Sequence, residues 1–162
     1  MQRTRGGTFD LWMLPLVGDR TPSPLFQTPF TERNARFSPD GRFLAYLSDE
    51  SSSFEVFVSP FPFTGEKVRV SSGGGTSPRW SRDGRELFYA SDARQLVAVP
   101  IRTTPSLQLG APVTLFPLKG SRPWIDFDVS VGGKTFLASV PEISANQQPL
   151  TAVVNWTSEV RR

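Results

Sequence analysis

The sequence predicts an all-β chain, a partial β-propeller of about three four-stranded antiparallel blades set in an open arc. Three observations predict it. One segment is written twice: ARFSPDGRFLAYLSDESSSFEVFVSPF begins at Ala35, PRWSRDGRELFYASDARQLVAVPI begins at Pro78, and Phe37 and Trp80 hold equivalent places 43 residues apart. A fainter third copy, FDVSVGGKTFLAS, starts at Phe127 and puts Val129 in the Phe37 place. A strand-rich period of ~40–45 residues is that of a propeller blade. Fifteen Pro and thirteen Gly favour short strands and frequent turns. No window of ten residues carries a helical period.

The elements follow in order within one expected domain, residues 1–162. Residues 9–28 read as the end of a blade. Phe9–Leu16 resembles the third strand of the next repeat, and Leu25–Gln27 fits a fourth. Residues 33–71 read as a full blade with strands Asn34–Ser38, Arg42–Ser48, Phe54–Pro60 and Lys67–Ser71, Phe37 being the apolar anchor of the first. Its first turn, Ser38-Pro39-Asp40-Gly41, has a mechanism. Pro39 pre-sets φ, Asp40 bonds its own backbone, and Gly41 takes the positive-φ position. Residues 77–116 repeat the plan with strands Pro78–Trp80, Arg85–Ala90, Gln95–Ile101 and Val113–Phe116. There Arg82 replaces the proline, but Asp83 and Gly84 remain. Residues 124–156 read as an incomplete last blade, Trp124–Val129, Lys134–Ser139 and Leu150–Trp156, whose turn keeps only Gly133. The thirteen strands expected in all fall well short of a closed ring of about four to eight four-stranded blades. Open edges seek partners, so self-association through them is expected.

Composition narrows the chemistry. Thirteen Phe and four Trp give ample material for a core. Trp12, Trp80, Trp124 and Trp156 read as blade-packing anchors before sugar-stacking platforms. The net charge of +3 comes from singly scattered arginines and three lysines. No basic run is interleaved with aromatics, so nucleic acid is not an expected partner. The chain has neither cysteine nor histidine. That removes disulfides, thiolate chemistry, Ser-His-Asp and Cys-His catalysis, and the commonest metal ligand. No run of about eighteen apolar residues offers a membrane span. The basic start Met1–Arg5 leads into glycines rather than an apolar core, unlike a signal peptide. Cytoplasm and periplasm fit equally.

Few residues suggest a site. Asp126 and Asp128 flank Phe127 and share one side of a strand. The places aligned with Asp128 hold Arg36 and Arg79. Charges on innermost strands by a central channel are expected to pair between blades, with ligand or ion contact as the alternative reading and acid–base catalysis as a more remote one. Ser72-Gly73-Gly74-Gly75-Thr76 mimics a phosphate cradle, but Pro78-Arg79-Trp80 after it opens a strand rather than a helix, so it reads as a link between blades. Asp49, Glu50 and Asp92 follow equivalent strands without the spacing of a calcium loop and read as turn residues. Asn155-Trp156-Thr157 fits a glycosylation triplet by chance. No cofactor, metal or catalytic residue is expected.

Phe37-Ser38-Pro39-Asp40-Gly41-Arg42, followed by an apolar strand, resembles the Pro-Asp-Gly, WD-like repeat of TolB-like propellers, and the resemblance runs from about Phe9 to Trp156. Longer stretches, DLWMLPL, GGGTSPRWSRDGRELFY and the closing AVVNWT among them, resemble the C-terminal propeller of bacterial serine/threonine protein kinases. The resemblance implies a binding or sensing module of a longer bacterial protein. It carries over no catalytic residue, because the glycine-rich loop, His-Arg-Asp and Asp-Phe-Gly are all missing. The expectation is a non-catalytic module whose protein or small-molecule ligand is unknown. Two alternatives stand beside it: the propeller of a larger kinase or prolyl-oligopeptidase-like hydrolase, and a self-associating scaffold.

Overall fold

A computed structural model describes residues 9–104, 106–119 and 126–139. Among these the chain is all-β, with thirteen strands and no helix. The first pair, β1 (Trp12–Met13) and β2 (Ser23–Pro24), is short and antiparallel. It comes slightly earlier than the sequence suggests: the hairpin returns at Ser23–Pro24, and Leu25 N then donates to the Leu11 carbonyl at 2.8 Å.

The first full blade is a four-stranded antiparallel sheet in the order β3 (Glu32–Phe37), β4 (Phe43–Ser48), β5 (Glu55–Pro60), β6 (Val68–Arg69). The second runs β7 (Gly75–Trp80), β8 (Glu86–Ser91), β9 (Gln95–Arg102), with two strands sharing the far side of β9. β11 (Val113–Pro117) pairs with Gln95–Ala98, while β10 (Gln108–Leu109) pairs with Ile101 and Arg102. The sequence predicts only the first of these two. The third sheet is the hairpin of β12 (Phe127–Val129) and β13 (Phe136–Ala138). Trp124, Leu150–Trp156 and the Asn155 triplet lie outside the described residues.

Alternation along each strand sends neighbours to opposite faces, and here both faces are covered. All six residues of β4 are buried. Phe43, Ala45 and Leu47 face the second blade and pack with Trp80, Leu87, Tyr89, Val97 and Val99. Leu44 and Tyr46 face the opposite way and pack with Phe26 and Phe57, against Leu11 and Leu25. The other face of the second blade, Phe88, Ala90, Leu96 and Ala98, meets Phe127, Val129 and Phe136 of the third. The sheets are therefore stacked blades, each walled by its neighbours.

The repeat supplies two backbone devices. Register shifts interrupt β3 between Arg33 and Arg36, and β7 between Thr76 and Arg79. Asn34 and Ser77, equivalent residues inside them, have φ of 55° and 54°. These are bulges, which bend a strand and re-aim its later side chains. The hairpins use glycine: Gly41, Gly84 and Gly133 have φ of 70°, 70° and 65°. The amide of each donates to the carbonyl three residues back, on Ser38, Ser81 and Ser130.

Phe37 departs from its expected role as an anchor. It is 53% exposed, whereas Trp80 in the equivalent place is 8% exposed. Trp80 is covered because β3 lies in front of it; no described innermost strand stands in front of Phe37. Trp12, also expected to anchor, is 40% exposed.

Gly41 and Gly132 separate backbone strain from crowding. A Cβ at either meets nothing within 4 Å, and only Gly41 has positive φ. Gly41→Ala is expected to destabilise the chain by about 1 kcal/mol, the cost of a left-handed non-glycine residue. Gly132→Ala should be neutral or stabilising by up to about 1 kcal/mol, through the unfolded chain. Paired chemical denaturation curves check this; equal losses would mean the two turn positions are not distinguished by φ.

Candidate functional site: a cleft over the innermost strands

The three hairpins that open the repeats share one side-chain relay. The Ser38 hydroxyl donates to Asp40 Oδ1 at 2.6 Å and accepts from Phe43 N at 3.0 Å. The Ser81 hydroxyl likewise donates to Asp83 Oδ1 at 2.7 Å and accepts from Glu86 N at 2.9 Å. In the third hairpin the aspartate is gone, and Ser130 Oγ still accepts from Thr135 N at 3.1 Å. Asp40 gains Arg42, by N at 3.1 Å and Nε at 2.8 Å. The Ser38 hydroxyl first, then the Arg42 donors, bring its carboxyl down to about 2. Asp83 is lowered for the same leading reason, the Ser81 hydroxyl. Such contributions are present above the unfolded carboxylate value and are lost as pH falls through the folded one. The sequence points to the Pro, Asp and Gly of this turn; the part played by the serine emerges only in the structure, although Ser opens the turn in all three copies.

Beyond the bulges, Arg36 and Arg79 come to the same end of the sheets as Asp126 and Asp128. All four line one open cleft of about 760 Å³, together with Phe37, Trp80 and Leu137. Arg79 Nη2 donates to Asp126 Oδ1 at 2.8 Å, a bond between neighbouring blades. The Arg79 side chain is mostly covered, while Asp126 is 81% exposed. Burial first, then the nearby Arg36 charge, pull the Arg79 guanidinium below its ordinary value; Asp126 and Asp128 oppose the shift. Arg36 is exposed, with Nη1 on its neighbour's Ala35 carbonyl at 2.9 Å. Asp128 Oδ1 accepts from Val129 N at 2.8 Å. The wall is fixed by Trp80, whose indole N–H donates to the Arg36 carbonyl at 3.1 Å across the blades. Arg82 lines the cleft as well, and three guanidiniums, two carboxylates and an aromatic floor can bind and orient a charged ligand.

The glycine run and the other acids that the sequence singles out lie away from the cleft. The glycine run does cradle an anion, one from its own chain: Gly73 N and Gly74 N each donate at 3.0 Å to Glu55 Oε1. Asp49 Oδ1 accepts from Thr31 N at 2.8 Å, and Glu50 pairs with Lys67. Asp92 lies against Gly74. Among the described residues no group of three or more acids could hold a metal ion, and no helix is long and apolar enough to cross a membrane.

No protein-family model and no curated protein matches the chain. Solved structures do. A protein provisionally named TolB from Agrobacterium tumefaciens aligns with a TM-score of 0.61 at 20% identity, over 93% of this chain and 53% of its own. Oligogalacturonate lyase from Vibrio parahaemolyticus aligns with a TM-score of 0.56 at 15% identity, over 78% of this chain and 34% of its own. A provisional 6-phosphogluconolactonase from Bacteroides uniformis gives 0.55 at 16% identity, over 85% and 43%. The chain thus spans about half, or less, of the length of these proteins. The likeness is one of fold, that of part of a β-propeller.

The Trp80 bond and the Arg79–Asp126 pair should differ in weight. Trp80→Phe removes that bond and leaves a space where the buried indole was, and is expected to cost about 1–3 kcal/mol. Asp126→Asn removes a largely exposed ion pair and is expected to cost under about 1 kcal/mol. Thermal melts of the two variants check the order; a larger loss from Asp126→Asn would reverse the assignment.

Proposed function

We propose that the chain is a non-catalytic binding or sensing module whose ligand sits in the cleft over the innermost strands. One observation carries this reading: Arg36, Arg79, Asp126 and Asp128, from three successive innermost strands, line a single cleft. Arg36 and Arg82 are the exposed cations there, while Arg79 is already paired. An anionic group therefore has a place beside Arg36, with the rings of Phe37 and Trp80 against its apolar part. The absence of histidine and cysteine supports a role in binding rather than turnover. The motif resemblance supports a place in a larger bacterial protein, a serine/threonine protein kinase, with the propeller as its sensor.

Trp80 reports on the cleft through its fluorescence. Titration with the dicarboxylate glutarate is expected to change the emission saturably, and the diamine putrescine is expected not to. Arg36→Ala should weaken the glutarate response by about tenfold or more, the worth of one charge-assisted contact. An undiminished response in Arg36→Ala, or a hydrolytic turnover that disappears in Asp126→Asn, would overturn the reading.

Self-association is a second reading, favoured by the apolar exposure of the first strand pair. Trp12, Met13 and Leu14 are 40%, 39% and 60% exposed. Light scattering across a concentration series is expected to show mass rising with concentration, and Trp12→Ser with Leu14→Ser should abolish the rise. A monomer at every concentration would sink it.

A further inference from the structure

Two of the buried junctions between sheets contain carboxylates, and they do not treat them alike. At the second junction Glu55 is 3% exposed and fully engaged. Its Oε1 accepts from the Gly73 and Gly74 amides, and its Oε2 accepts from the Ser71 hydroxyl. Gly75 N donates to the Phe54 carbonyl at 2.9 Å. The first junction is built on the same frame. Glu32 N donates to the Phe9 carbonyl at 2.7 Å, with Asp10 in the Glu55 place, Thr28 in the Ser71 place and Glu32 in the Gly75 place.

Two changes break the pattern. Asp10 is one methylene shorter than Glu55, and the loop amides go elsewhere: Thr31 N to Asp49 Oδ1 at 2.8 Å, Phe30 N to Thr28 Oγ1 at 3.1 Å. A second carboxylate, Glu32, enters where the other junction has glycine. Thr28 Oγ1 donates to Glu32 Oε1 at 2.5 Å. Asp10 Oδ1 and Glu32 Oε2 are left without a hydrogen-bond partner. Their residues are 4% and 2% exposed.

Lys67, the cation whose charge acts on Glu32, is already engaged by another acid. Asp49 and Glu50 follow β4, Tyr46 lies on it, Arg33 lies on β3 and Lys67 precedes β6. Lys67 pairs with Glu50, and the Arg33 guanidinium lies over the Phe54 ring at 3.8 Å. Two buried carboxylates in one junction, each with an empty acceptor, are costly as a pair of anions, and a proton on one of them relieves that cost.

We propose that Glu32 carries a proton in this junction, beside Asp10, and that the protonated side chain fastens the strand pair β1–β2 to the first full blade. Burial raises the Glu32 carboxyl above its ordinary value; the Thr28 hydroxyl opposes the rise, the Asp10 and Asp49 charges add to it, and the Lys67 charge opposes it last. A raised folded value gives stability that is present below the unfolded carboxylate value and is lost as pH rises through the folded value of Glu32. Above it the proton passes to solvent and two like charges face each other in the junction. The fastening is closed in acid and loosens toward alkali.

Hydrogen exchange of the full chain tests this, with intrinsic rates corrected for pH. In the wild type, protection of the Glu32 amide is expected to fall by up to about tenfold per pH unit above the folded value of Glu32, one proton's worth of linkage. The Gly75 amide, which makes the same bond at the junction without a carboxylate pair, should not follow it. Glu32→Gln supplies an N–H to Asp10, and Asp10→Asn supplies one to Glu32. In either variant that folds, the Glu32-position amide should lose this slope. Equal pH profiles for the two wild-type amides, or the slope surviving in the variants, would overturn the proposal. Millimolar calcium chloride restoring protection at high pH would also overturn it, in favour of a cation site.

Discussion

Blade stacked on blade is the constraint that governs this structure. A sheet buried on both faces cannot be stable alone, because neither face has a polar side to offer water. β4 is the extreme case, with six consecutive buried residues. Phe43, Ala45 and Leu47 need the second blade, and Leu44 and Tyr46 need the first strand pair. The side-chain bond that crosses between the full blades at the channel end, from the Trp80 indole to the Arg36 carbonyl, fixes how far one sheet is turned against the next. The cleft is a consequence of that turn. Its charged residues come from strands that never pair with one another, and only the stacking brings them together.

Legibility in the sequence divided along physical lines. The repeat and its Asp-Gly turns were readable because their causes are local: a few consecutive residues contain the hydroxyl, the carboxylate and the glycine that close a hairpin. The convergence of Arg36, Arg79, Asp126 and Asp128 was readable too, since equivalent places in a repeat architecture face one axis. The fate of Phe37 was not. A motif states that a position is apolar, and the neighbour that covers it is supplied by another blade. The bulges at Asn34 and Ser77 were hidden for a different reason. Asparagine tolerates a left-handed conformation without announcing one, serine still less, and only their equivalence 43 residues apart hints at it. The Asp10–Glu32 pair was invisible because its members belong to different sheets, brought together by one backbone bond from Glu32 to Phe9.

Acidic side chains do three separate jobs in this fold, set by burial. Asp40 and Asp83, at the surface, are held ionised by neighbouring hydroxyls and amides. Glu55, fully enclosed, is satisfied by a ring of donors from the loop it braces. Asp126, exposed in the cleft, holds a partly buried arginine from the next blade. The same functional group thus serves as a turn brace, an internal strut and an inter-blade tether.

The serine relay has an evolutionary corollary. Because Ser38, Ser81 and Ser130 close their hairpins with residues from the same short stretch, a blade copied elsewhere in a gene arrives with its punctuation intact. Glu55 is different: its donors lie 16 to 19 residues downstream, at the threshold of the following blade. Gain or loss of a whole unit leaves the hairpins untouched and falls entirely on the seams. The seams are therefore where recently duplicated units would have to diverge, and the replacement of a satisfied glutamate at one seam by an aspartate and a second acid at another is such a divergence.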